Sequence, residues 1–311
     1  MAIFVLSSCQ KDSDIFISNS ISPGLDTNWV STVTDASLVS QLRKTLSRES
    51  ILDSLDASLG GSFQTSEGLK VIFLPQSLLL PNGQIATGKI YAETMLIKER
   101  GDMVKYDKPT TSQGRILNSG GQVFIRLRKE NEELHLASGK TVYIKYQENN
   151  PSPLMKVFHG DESNLYRFNW IQSTNAIAVS PQPGYEISSS VLRWISPNYF
   201  ADTSGTRISI TASVPSDCTN GNTFVFLVFK DFKSVVGMYG DINTKKFTAL
   251  RVPTGRQAIV LSITKKGTNS YYLAHENFIT GQTGTLNGGQ IIPLIPKPTS
   301  ITDIKFYLNT L

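Results

Sequence analysis

The chain has 311 residues, which by length alone suggests about two domains with a core that needs no disulfide staples. Apolar residues make up 40% and charged residues 18%, below the roughly 25% of an average soluble domain; this composition excludes disorder, collagen and a long coiled coil. The net charge is +5, and no run approaches the ~18 apolar residues of a membrane-spanning helix.

The charge excess is C-terminal: residues 171–311 hold 12 Lys or Arg against 7 Asp or Glu, and the longest basic runs there are the pairs Lys245-Lys246 and Lys265-Lys266. A nucleic-acid binder concentrates its basic residues, whereas paired lysines protect sheet edges. No nucleic-acid partner is expected. There are two cysteines, Cys9 and Cys218. They lie too far apart to form a framework within one domain, and Cys218 reads as a small residue in a strand connection.

At the N-terminus, Leu6-Ser7-Ser8-Cys9 follows the apolar stretch Ile3-Phe4-Val5. It resembles the lipobox of bacterial lipoproteins, in which small residues fit the signal-peptidase cleft and the thiol takes a diacylglycerol. Only Met1-Ala2 precedes the apolar stretch, short of the basic region and 7–15 apolar residues of a signal. The expectation is that the sequence starts inside a longer signal peptide. Gln10-Lys11-Asp12-Ser13-Asp14 resembles the short export signal of Bacteroidota lipoproteins. That likeness implies lipid attachment at Cys9, an export role for Lys11, Asp12 and Asp14, and a place on the outer face of the outer membrane. Residues 15–33 are polar and irregular, as a tether would be, and acyl chains anchor at ~0.8 kcal/mol per buried methylene.

Leu38, Leu42 and Leu46 repeat at i, i+4 and i+8 behind Thr34-Asp35, which predicts one short helix over 36–47 packed beside the first sheet. Strands follow. Leu69 to Leu74 stops at Pro75, Asn82-Gly83 marks a turn, and Val123, Ile125 and Leu127 alternate with Phe124, Arg126 and Arg128. Val142, Ile144 and Tyr146 repeat the alternation.

Gly60-Gly61-Ser62-Phe63, Gly68 and the strand ending Phe73-Leu74-Pro75 are similar to the opening of the β-sandwich module of ankyrins and netrin receptors. Gly101-Asp102-Met103 through Lys108-Pro109-Thr110, with Leu117-Asn118-Ser119-Gly120-Gly121, resembles a module of Bacteroidota surface lipoproteins. The resemblance covers residues 58–147 and implies a sandwich in an extracellular setting, without catalytic residues.

Asn149-Asn150-Pro151-Ser152-Pro153 reads as the start of a linker over 148–168. Beyond it, Ile208, Ile210 and Ala212 alternate, Thr223 to Phe229 is a continuous apolar run suited to a central strand, Ile259, Leu261 and Ile263 alternate, and Ile304, Phe306 and Leu308 read as a closing strand. The expected fold is mainly β: two β-sandwich domains with one short N-terminal helix. The expected division is a signal-peptide remnant at 1–8, a lipidated tether at 9–33, helix plus first sandwich at 34–147, linker at 148–168 and second sandwich at 169–311.

Site chemistry is sparse. His135, His159 and His275 lack metal-ligand spacing, and His159-Gly160-Asp161-Glu162 reads as a solvated loop. There is no Gly-x-Ser-x-Gly elbow, and the glycines of 281–289 lack the ending of a phosphate loop. No catalytic residue, cofactor or metal is therefore expected. Trp170 and Trp194 are the candidates for stacking on sugar rings, against the plainer reading as core. Asp53-Ser54-Leu55 resembles the Bacteroidota O-glycosylation motif, which implies a glycan on Ser54. The leading expectation is a non-catalytic surface lipoprotein docked on an outer-membrane protein complex of transport, secretion or assembly. The alternative is a glycan-binding lipoprotein of a polysaccharide-uptake system, and a hydrolase assembled across the domain boundary ranks third.

Overall fold

The computed structural model describes residues 29–164, 166–179, 183–201, 205–282, 285–286 and 289–311. The fold is mainly β and sandwich-like, with three helices among the described residues. Its first unit is one long antiparallel sheet that curls into two facing layers. One layer runs through the strands Ile51–Asp56, Lys89–Ile97, Gln122–Lys129, Arg193–Phe200 and Lys156–Asp161. The other holds Tyr185–Ser189, Val142–Tyr146, Lys70–Phe73 and Gly61–Gln64. The strand Asn169–Val179 joins them, pairing with Lys156–Asp161 along its first half and with Tyr185–Ser189 along its second. Alternation in these strands points Val71, Val123, Ile125, Ile144, Val157 and Ile187 into the space between the layers.

This pairing corrects the expected boundary. Residues 148–168 are no linker between domains, because Lys156–Asp161 lies inside the first sheet, against Arg193–Phe200. Arg193–Phe200 in turn pairs with Gln122–Lys129, so the first unit extends to residue 200. Asn149 to Pro153 crosses from one layer to the other, and Pro and Asn mark such a crossing as readily as a domain junction. At the predicted turn, Gly121 has φ +124, a conformation that favours glycine.

The second unit is a sandwich of two five-stranded sheets. One contains Lys246–Pro253, Arg207–Ser213 and Gly289–Pro293, the last two paired in parallel. The other contains Thr223–Phe229, Gln257–Lys266 and Ser270–Ile279. Thr223–Phe229 is buried throughout, as its apolar run predicts. Val225, Leu227 and Phe229 face the interior of this sandwich, while Phe224, Phe226 and Val228 face a separate core shared with the first unit.

That shared core contains the helices Leu38–Leu46, Arg100–Lys105 and Ile301–Leu308, whose Leu42, Leu46, Met103, Val104, Ile304 and Leu308 are buried in it. The outer face of the first sheet adds Phe158, Phe168, Trp170 and Trp194. Two expectations change here. The N-terminal helix packs on Thr223–Phe229 and Gln257–Lys266 of the second unit rather than on the first sheet. It begins at Leu38 with Ser37 at its N-cap, so Thr34-Asp35 lies in the preceding turn. The C-terminal alternation is a helix rather than a strand: Ser300 caps it by accepting from the Asp303 backbone N–H, Ile304 and Leu308 are buried one turn apart, and Phe306 is exposed. The junction is also closed by hydrogen bonds. Thr110 N–H donates to Val235 O at 2.7 Å, and Val235 N–H donates to Thr110 Oγ1 at 2.9 Å.

Candidate functional site

The helix Arg100–Lys105 ends in a cap in which Lys108 N–H donates to Met103 O at 2.9 Å and Asp107 N–H donates to Val104 O at 3.0 Å. Such a cap needs a left-handed residue and usually takes glycine. Asp107 occupies the position, with φ +50. Aspartate tolerates that conformation better than most side chains, and glycine would have brought no carboxylate. The carboxylate is 5% exposed. Its Oδ2 accepts from Arg43 Nη2 at 2.5 Å and Nε at 3.1 Å, and Arg43 is carried by the N-terminal helix. Its Oδ1 is buried, with no hydrogen-bond partner among the described residues.

Asp107 and Arg43 lie on one side of a cleft of about 460 Å³ between the two units. The far side comes from the second unit: Phe224 and Phe226 on one strand, Met238 to Asn243 with the short strand Gly240–Asp241, and Phe247. Tyr166 and Arg167 close the rim, with the Arg167 guanidinium 5.8 Å from the Tyr239 ring centre. Gly237 leaves room for Tyr239, since a Cβ there would come within 3.0 Å of its ring, and Gly240 leaves room for Trp29, whose ring a Cβ would meet at 2.5 Å. The Tyr239 hydroxyl is buried beside the Phe168 backbone, and among the described residues it has no side-chain hydrogen-bond partner. Burial, reinforced by the charge of Asp107, pushes this phenol far above its ordinary pKa, so it is a neutral donor.

The residues singled out from sequence lie elsewhere. Trp170 is fully buried and its indole N–H donates to Pro109 O at 2.9 Å. Trp194 is 5% exposed, packs 4.9 Å from Phe124 between ring centres, and donates to Glu162 Oε1. Neither ring offers a free face to a sugar, because helices and the second unit cover the outer face of the sheet that carries them. Ser54 is exposed on the edge strand Ile51–Asp56, where its neighbour Asp53 accepts from the Ser54 backbone N–H. Cys9, Lys11, Asp12 and Asp14 lie outside the described residues.

His159 belongs to a strand rather than a loop, and its Nε2 lies 3.1 Å from Ser189 Oγ. Among the described residues, no three His, Cys, Asp or Glu side chains gather as a metal site. Sequence reasoning missed Asp107 and Tyr239. The available signals were an aspartate where a helix end favours glycine, and a tyrosine inside Gly237-Met238-Tyr239-Gly240. No protein-family model, curated protein or solved structure matches the chain.

Proposed function

We propose that this protein is a non-catalytic lipoprotein of the bacterial cell surface. It is held by a lipid on Cys9 in the outer membrane of a Bacteroidota cell, with Lys11, Asp12 and Asp14 directing export, and works as an accessory subunit docked on an outer-membrane protein complex. The observation that carries the docking role is the outward face of the second sandwich. Leu250 and Ile291 lie on this sheet and Ile295 just past its end, 66%, 54% and 77% exposed. Apolar side chains exposed on one sheet face suit a protein interface, and the sandwich core beneath them gives the partner a rigid body to grip.

Purification from native membranes in mild detergent tests the reading. The expected result is a lipid-modified N-terminal peptide beginning at Cys9, with one membrane partner at fixed stoichiometry that is lost in a Leu250→Asp, Ile291→Asp variant. An unmodified peptide running through residues 1–12 overturns the anchor. A partner retained by the double variant, or no stoichiometric partner, overturns the docking face.

A further inference from the structure

The two lysine pairs of the second unit are used differently by the fold. Lys265 turns its ammonium back on its own hairpin, donating to Gly267 O at 2.5 Å and Thr268 O at 2.6 Å, and Lys266 is paired with Asp217 Oδ2 at 2.5 Å. Lys245 and Lys246 are both exposed, and neither side chain forms an ion pair or hydrogen bond among the described residues. They stand at the tip of the hairpin formed by Gly240–Asp241 and Lys246–Pro253. Backbone groups close the turn: Asp241 Oδ1 accepts from Asn243 N–H at 2.7 Å and Thr244 N–H at 2.9 Å, and Lys245 N–H donates to Asp241 O at 2.7 Å. Asp241 is the only acid between Gly240 and Lys246, and Ile242, 40% exposed, adds an apolar side chain to the same turn. Arg167 is exposed on the cleft rim that Ile242 also lines.

The base of this hairpin holds the start of the described chain. A Cβ on Gly240 would come within 2.5 Å of the Trp29 ring and 2.8 Å of the Asn220 side chain. Asn220 in turn grips the Val30 backbone, accepting from its N–H at 3.0 Å and donating to its O at 2.7 Å. The segment that carries Cys9 therefore enters the folded body at this hairpin. Its 20 residues, Cys9 to Asn28, span at most about 70 Å, so an anchored Cys9 keeps the turn within reach of the bilayer.

We propose that the turn of residues 241–246 is a membrane-contact site for anionic lipid headgroups, with Lys245 and Lys246 on the phosphates and Ile242 in the layer between headgroups and acyl chains. The lipid on Cys9 proposed above is what favours a membrane over other acidic surfaces, since it holds the turn next to one. A basic residue near an anionic bilayer strengthens binding about fivefold. The attraction fades within about 8 Å at physiological salt, which suits unpaired lysines at the tip of a turn.

Vesicle sedimentation with the full, unlipidated chain at low salt tests it, using phosphatidylcholine alone and phosphatidylcholine mixed with phosphatidylglycerol. Binding is expected on the mixed vesicles only, and should weaken as salt is added. It should fall about 25-fold in a Lys245→Asn, Lys246→Gln variant, as two charges at about fivefold each predict, and about tenfold in Ile242→Ser. Asparagine suits the left-handed backbone of residue 245, φ +53, and all three positions are exposed, so the fold is kept. Because this chain carries no lipid, failure here leaves the Cys9 anchor standing, and an unmodified native N-terminus leaves a positive vesicle result standing. The proposal is overturned if neither vesicle binds the chain, if both bind it alike, or if the double variant binds as the wild type does. Retention on heparin through the same lysines, without vesicle binding, would assign the turn to a soluble acidic partner and overturn it too.

Discussion

Lys108 carries its ammonium into an aromatic corner, with Nζ 4.2 Å from the ring centre of Phe168 and 5.0 Å from that of Trp194. Burial lowers its pKa from 10.5 to about 8, and the carboxylates of Asp107 and Glu162 only partly offset this. Above pH 8 the folded chain therefore sheds a proton that the unfolded chain keeps until about pH 10.5. The unfolded state binds more protons in that window, so stability contributed by this group rises with pH there and is flat below it. Compared with a Lys108→Met variant, the wild type should gain about 1–3 kcal/mol of unfolding free energy between these limits. Urea melts of both proteins across the window check this, and a difference that stays constant with pH would refute it. The aromatic corner was only half legible from sequence. Trp170 and Trp194 read either as rings for sugar stacking or as core, and only the elements that cover them decide for core. Asp107 was hidden for another reason: a helix cap announces a left-handed residue, not where its carboxylate points.

At the level of elements, the helix Arg100–Lys105 meets the C-terminal helix through Gly101, where an added Cβ would stand 1.6 Å from Leu308 O. Alanine normally favours a helix over glycine by about 1 kcal/mol. Here it would force the two helices apart and disturb Met103, Val104, Ile304 and Leu308 in the shared core. Gly101→Ala should therefore destabilise the protein by about 1–3 kcal/mol, as overpacking does. A chemical-denaturation midpoint equal to or above the wild type would show that the helices do not approach this closely. The C-terminal helix also shows why strand and helix were confused. Ile304, Phe306 and Leu308 fit an alternation of two, yet Ile304 and Leu308 alone fit a helical turn. Ser300 with Asp303 three residues later was the cue that decides between them. The run Thr223–Phe229 was read correctly, because a strand apolar on both faces must be covered on both.

At the scale of the whole molecule, three cores hold the described residues together: one inside each sandwich and one between the sandwiches. The third cannot be inferred from any single segment, since its residues come from three helices and the outer faces of two sheets. This is why the chain seemed divisible at 148–168. The segment from Gly101 to Thr110, whose resemblance to surface-lipoprotein modules marked it out, lies at the junction: Gly101 at the helix contact, Asp107 in the cleft, Pro109 under Trp170, Thr110 bonded to Val235. A fragment of residues 56–147 follows the apparent boundary, but it lacks three neighbours that the strands need. Gln122–Lys129 loses Arg193–Phe200 beside it, Val142–Tyr146 loses Tyr185–Ser189, and Asn169–Val179, which joins the layers, is missing altogether. Val123, Ile125, Val142 and Ile144 would then pack against an incomplete core. Each unpaired strand would also expose a row of backbone donors and acceptors that invites aggregation. Expressed alone, residues 56–147 should give the far-ultraviolet circular dichroism of an unfolded or aggregating chain, without a cooperative melt. The full chain should unfold in a single transition seen alike by circular dichroism and tryptophan fluorescence, because Trp170 and Trp194 sit in the core between the units. A soluble, strand-rich fragment with its own sharp melt would show that the first sandwich closes before residue 148.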